Sequence, residues 1–187
     1  MTGYQQTGTA GGLAPPAAVR VWDPFVRIFH WSLVSLFVVA FLTGDESERI
    51  HNAAGYAIAA LLALRIVWGF IGPQHARFSD FVKGPRKVMT FITQSLTLSA
   101  PRYLGHNPAG AVMILALMAA LIGLCATGIL MTTDANWGSK ALEEVHEAFA
   151  YVTLGLIALH VLGVVFSSFE HRENLVKAMV TGKKREV

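Results

Sequence analysis

The sequence predicts an all-α membrane protein, a bundle of four transmembrane helices, and three observations carry that prediction. Of 187 residues, 53% are apolar and 14% charged, with a mean hydropathy of +0.49; soluble domains carry about 25% charge. The apolar residues are gathered into long runs rather than spread over core positions. Four of those runs approach the ~20 residues that a tilted helix needs to cross a bilayer.

Taken in order, residues 1–18 are mostly Gly, Thr, Ala, Pro and Gln without charge, and read as a disordered cytoplasmic tail ahead of a membrane domain over 19–182. The tail lacks the positive segment and adjoining apolar core of a secretory signal, so the first apolar run, beyond Arg20 and Arg27, is expected to stay as an anchor. Spans are expected at about Phe25–Thr43, His51–Ile71, Ala109–Thr132 and Leu142–Phe169. The links Gly44–Ile50 and Thr133–Ala141 are short, which makes spans one and two, and spans three and four, antiparallel neighbours. No strand periodicity or internal repeat competes with this pattern. Between spans two and three, Pro85 to about Leu98 places Val88, Met89, Phe91, Ile92 and Leu96 at roughly helical spacing. That stretch suits either a short helix lying in the membrane interface or an ordinary loop. Residues 183–187 form a basic tail.

Charge sets the expected orientation. Of the 15 Lys and Arg residues, all but Arg49 and Lys140 fall on the side of the termini and the long connection. Both termini are therefore expected in the cytoplasm. The other side collects Asp45, Glu46, Glu48, Asp134, Glu143, Glu144 and Glu147. The lone Cys125 lies within an apolar run and reads as packing, and no C-x-x-C-H motif is present for covalent haem attachment.

The histidines sort by depth. His146 and His160 lie fourteen residues apart on span four, on one face of the helix and separated by about 21 Å of rise. With the spans placed, His30 falls at the level of His160 and His51 at the level of His146. Two levels thus appear, each with two imidazoles from different helices. Buried polar groups are costly in lipid and usually functional. Paired neutral imidazoles are a common axial ligand set for haem iron, and two per iron suit electron transfer. The expected metal ligands are His30, His51, His146 and His160, as the axial ligands of two haems enclosed by the bundle. Of the others, His75 and His171 read as solvated interface residues. His106 lies in a helix-start turn, with Asn107 as cap and Pro108 at the first position. Gly55, Gly155 and Gly163 suit either close helix packing or clearance for a haem edge. Arg27, one turn before His30, suits either a haem propionate or a headgroup. Trp22, Trp31, Trp68 and Trp137, near span ends, read as an aromatic belt.

These pieces together resemble a known family, the bacterial two-haem cytochrome b561 proteins, akin to the cytochrome b subunits of nickel–iron hydrogenases. The resemblance covers roughly residues 19–182. It rests on Val21-Trp22-Asp23-Pro24 with Arg27-Ile28-Phe29-His30-Trp31, Thr43-Gly44, His51-x-x-x-Gly55-Tyr56 and Arg65-x-x-Trp68-Gly69. Ala76-Arg77-Phe78, Gly105-His106-Asn107-Pro108-x-Gly110 and the His146/His160 pair complete it. The resemblance implies two non-covalent b haems, with His30, His51, His146 and His160 as axial ligands. It also implies electron transfer through the inner membrane between quinone (ubiquinone or menaquinone) and a redox partner on either side. Some members oxidise superoxide, an anion that the acidic outer loops would repel. A basic periplasmic c-type cytochrome suits those loops better. Lipid is the expected surroundings, and no nucleic-acid partner is expected.

Two other classes compete. Glu48-x-x-His51 and Glu143-x-x-His146 are the pairs that di-iron carboxylate bundles use. Spans one and three offer no further carboxylate, however, and His30 and His160 would go unused. A transporter would need a charged site near mid-membrane, where these spans are apolar.

Overall fold

The structure, a computed structural model, describes residues 18–186. The tail expected over 1–18 lies outside the described residues except for Ala18, as does Val187. The chain runs through strand β1 (Ala18–Arg20) into helix α1 (Pro24–Thr43), and after a tight link into α2 (Glu48–Ile71). A 3-10 turn at Gln74–Ala76, α3 (Phe78–Phe81) and α4 (Pro85–Leu96) fill the long connection. Then come α5 (Pro108–Met131), α6 (Lys140–Glu170), α7 (Leu175–Thr181) and strand β2 (Lys183–Arg185). The long helices α1, α2, α5 and α6 all satisfy the length and hydropathy of membrane spans. They are the four spans expected from the apolar runs, and α4 forms as a helix rather than a loop.

Local chemistry starts these helices where the sequence directs. Asp23 Oδ1 accepts the Val26 N–H at 3.1 Å to cap α1, with Pro24 in the first turn. Asn107 Oδ1 accepts the Gly110 N–H at 2.7 Å to cap α5, with Pro108 in the first turn. Each side chain takes up one of the N–H groups that a helix start leaves unpaired. Asn174 does the same for α7, receiving the Lys177 N–H at 2.7 Å. Gly182, at φ +79°, ends that helix in the left-handed region.

The long helices pack in a row, α1 on α2, α2 on α5 and α5 on α6. Phe37, Ile58, Leu62 and Leu121 form the buried core of that row. Gly123 lets α5 and α6 approach closely, since a Cβ there would lie 2.5 Å from Phe149 ring atoms. The row does not close into a ring of tightly packed helices, because α6 packs closely on neither α1 nor α2. Histidine side chains bridge this interval.

The two ends of the bundle differ. Tyr56 and Thr132 share a hydrogen bond of 3.0 Å between hydroxyls, tying α2 to the end of α5 at the rim that carries the acidic loops. The opposite, basic rim carries a cap that the sequence did not reveal. β1 pairs antiparallel with β2, Val19 opposite Lys184. The basic tail over 183–187 is thus in part a strand of the domain, and three-residue strands are too short to betray themselves by alternation. Val21 and Trp22 are buried against Ala178 of α7. Trp22 is therefore packed inside the cap, not placed in an aromatic belt, whereas Trp137 is 73% exposed. Arg102 donates to Glu173 from Nη2 at 2.8 Å and from Nε at 3.2 Å, joining the long connection to the segment after α6.

Candidate functional site

Across the interval between α6 and the α1–α2 pair, histidines meet in two couples. His30 of α1 faces His160 of α6 with ring centres 6.5 Å apart. His51 of α2 faces His146 of α6 at 6.0 Å. An imidazole nitrogen sits about 2 Å from a transition metal and about 1 Å from its own ring centre, so two rings on opposite sides of one ion stand about 6 Å apart. Both couples have that spacing. Each joins two helices that do not otherwise pack closely, which leaves room between them for a flat group.

The couple at the acidic rim is held on all sides. His51 Nδ1 lies 2.9 Å from the Ala40 carbonyl of α1. A carbonyl only accepts, so Nδ1 carries the hydrogen and donates it, and the Nε2 lone pair is free for a metal. His146 Nδ1 lies 3.0 Å from Thr127 Oγ1 of α5. Thr127 Oγ1 in turn lies 2.9 Å from the Gly123 carbonyl and 3.0 Å from that of Leu124, to which it donates its one hydrogen. With its hydrogen on one of those carbonyls, the hydroxyl accepts from His146 Nδ1–H, the tautomer that leaves Nε2 of this ring free as well. Gly128 makes room for the His146 ring, since a Cβ there would stand 3.0 Å from Cε1.

The couple at the basic rim is supported differently. His30 Nδ1 is buried and has no hydrogen-bond partner, and the ring packs edge-on against Trp31 at 5.0 Å. Nearby at this rim, Arg27 Nε, Arg65 Nη1, Trp68 Nε1 and His106 Nδ1 are also buried without partners. Arg65 is only 3% exposed. It donates from Nη2 to the Ala76 carbonyl at 3.1 Å and stacks over Phe78 at 5.3 Å. Arg27 donates from Nη2 to the Val180 carbonyl, so part of its guanidinium joins α1 to α7.

The remaining expectations divide. A Cβ on Gly55 or Gly163 would meet nothing within 4 Å, with Gly55 part-buried and Gly163 exposed. Gly155 also has open space, but it is exposed and lies nine residues, half a turn of azimuth, from His146. That places it on the side of α6 away from the couples. His75 is not solvated as expected but half-buried, with Nδ1 3.2 Å from Asp80 Oδ2. The His171 side chain is 13% exposed and its Nε2 lies 3.7 Å from Glu170 Oε2. His106 is wedged between Trp22, at 4.5 Å, and Phe81, at 4.9 Å. Burial above all, then the nearby Arg65, Lys184 and His75, pushes its pKa down to about 3, so the ring is neutral. Sequence reasoning missed Thr127 and the Ala40 carbonyl as partners of His146 and His51. It also missed Thr153, which is fully buried with an unpartnered Oγ1, seven residues from both His146 and His160. A hydroxyl within an apolar span was the available signal for both threonines.

A di-iron centre needs several carboxylates converging with histidine. Among the described residues no group of three or more His, Cys, Asp or Glu side chains assembles in that way.

Four membrane spans that bring imidazoles from facing helices together define a membrane cytochrome of b type, in which haem is held without covalent attachment. The chain belongs to the prokaryotic cytochrome b561 family, whose model matches residues 21–182. It is 23% identical over 213 residues to a probable Ni/Fe-hydrogenase B-type cytochrome subunit of Rhizobium leguminosarum bv. viciae, covering 89% of each chain. It is likewise 23% identical over 212 residues to the protein of the same description from Bradyrhizobium diazoefficiens, covering 89% of this chain and 86% of that one. The Azotobacter vinelandii protein of that description is also 23% identical, covering 88% of each. The protein is a multi-pass bacterial membrane cytochrome that transfers electrons through haem b.

Proposed function

We propose that the protein carries electrons across the bacterial inner membrane through two bis-histidine b haems, one held by His30 and His160 and the other by His51 and His146. The observation that carries this reading is the pair of couples, with ring centres 6.5 Å and 6.0 Å apart. Haem b bound there supplies a one-electron ferric/ferrous couple. His30 with His160 and His51 with His146 would hold the two groups, and two imidazoles to each iron would leave no open site for dioxygen, which suits outer-sphere electron transfer. Ala40 and Thr127 orient the acidic-rim ligands. At the other rim, Arg65 Nη1 and Trp68 Nε1, buried without partners, are the donors that a haem carboxylate would satisfy. Apolar surroundings tune the potentials and exclude water.

The distribution of Lys and Arg supports placing the basic rim, and both termini, in the cytoplasm. The acidic rim then faces the periplasm, where a cationic c-type cytochrome would dock. The hydrogenase naming of the relatives supports a redox enzyme as partner in addition, and quinone (ubiquinone or menaquinone) is the membrane-side electron carrier.

The test is haem stoichiometry. The purified protein should carry two b haems per chain, with a sharp α band on reduction. His146→Ala and His51→Ala should each leave one haem, and His30→Ala should remove the other. If both His146→Ala and His51→Ala keep two haems per chain, the pairing is wrong.

A further inference from the structure

The two couples differ in the groups behind their rings. At the acidic rim both histidines pass an Nδ1 hydrogen to an oxygen, His51 to the Ala40 carbonyl at 2.9 Å and His146 to Thr127 Oγ1 at 3.0 Å. At the basic rim His30 Nδ1 is buried with no acceptor at all. A hydrogen bond donated from Nδ1 pushes electron density toward Nε2 and makes the ring a more basic ligand. A more basic ligand favours ferric over ferrous iron, which lowers the potential.

Charge acts in the same direction. Glu143, Glu144 and Glu147 occupy the first turns of α6 around His146, and negative charge favours the ferric state. The buried Arg65 guanidinium lies at the other rim, and positive charge favours the ferrous state there. The carboxylates are exposed and screened, so the hydrogen bonds weigh more.

We propose that Thr127 is a positioning residue that lowers the potential of the acidic-rim haem, which titrates as the lower of the two. Thr127 touches neither iron nor substrate. It acts through His146, holding the ring's Nδ1–H while its own hydrogen is committed to the backbone of α5. The inference rests on the bis-histidine reading of both couples.

The experiment is an optical redox titration of the purified, haem-loaded protein, preceded by a haem count. Fewer than two haems per chain in the parent would overturn the functional reading itself. With two present, the parent should titrate as two components, and His51→Ala should abolish the lower one. Thr127→Val keeps the side-chain volume and removes the acceptor. It should raise the lower component by up to about tenfold in the oxidised-to-reduced ratio, 59 mV for one electron, and leave the higher component in place. Thr127→Ser, which keeps the hydroxyl, should restore the parent value. Thr127→Ala, also lacking the acceptor, takes the place of the valine variant if that one does not load. A shift confined to the component that His30→Ala abolishes, or no shift in the valine and alanine variants, would overturn the proposal.

Discussion

Glu173 holds together the cap at the basic rim, and removing its charge should be costly. Its carboxylate receives two bonds from Arg102, at 2.8 and 3.2 Å, and the Arg185 N–H at 3.2 Å, with Lys184 Nζ 4.0 Å away. The side chains are only 8% (Glu173), 15% (Arg102) and 6% (Lys184) exposed. Glu173→Gln therefore strands two cations largely out of water. Losing one partner of such a buried pair costs about 3–5 kcal/mol, and glutamine, which still accepts one bond, should fall at the lower end. At about 2–4 °C per kcal/mol for a chain of this size, the melting temperature in detergent should drop by roughly 10 °C. Burial alone would raise the Glu173 pKa, but the Arg102 bond, Lys184 and the Arg185 N–H outweigh it and hold it below the usual carboxylate value. Its stabilisation is thus present above the unfolded value of about 4.3 and lost as pH falls through the lower folded value. The variant should lose that acid-side slope. Arg102→Met combined with Glu173→Gln should cost less than the sum of the single changes. A glutamine variant melting within about 2 °C of the parent, less than 1 kcal/mol on the same scale, would refute the buried-pair argument.

Three further outcomes are expected. On the proposed pairing, Gly128→Val should cost the haem that His51 and His146 would hold and spare the other, read as haem per chain, because even the first added carbon stands 3.0 Å from His146 Cε1; two retained haems would contradict this. His106, with a pKa of about 3, resists protonation when folded, so stability should fall as pH drops from about 6.5 toward 3. His106→Phe should flatten that part of the thermal stability curve. Electron exchange with a cationic c-type cytochrome should slow several-fold between about 50 and 500 mM salt, as the acidic rim is screened. Stopped-flow rates independent of salt would exclude steering by that face.

The sequence displayed the scaffold more openly than its refinements. A run such as Ala109–Thr132 has to be a helix in lipid, because no other segment satisfies its own backbone there. The levels of His30, His51, His146 and His160 follow from fixed rise per residue once the spans are placed. Asn107 and Pro108 announced their helix by local chemistry alone. What stayed hidden depends on distant pairings. Thr127 meets His146 nineteen residues away on another helix, and nothing in its neighbours encodes that meeting. Lys183–Arg185 look like a solvated basic tail until Ala18–Arg20 lie beside them. Trp22 and His106 resembled rim residues because the cap that buries them is built from three separate parts of the chain.

The strand pair has an architectural consequence beyond stability. Ala18 lies opposite Arg185, about 5 Å away across the ladder. The membrane domain is therefore entered and left through one doorway. Whatever is joined ahead of residue 18 and whatever is joined beyond residue 185 must emerge side by side at the basic rim. Reporters joined directly at residues 18 and 185 would be held as neighbours.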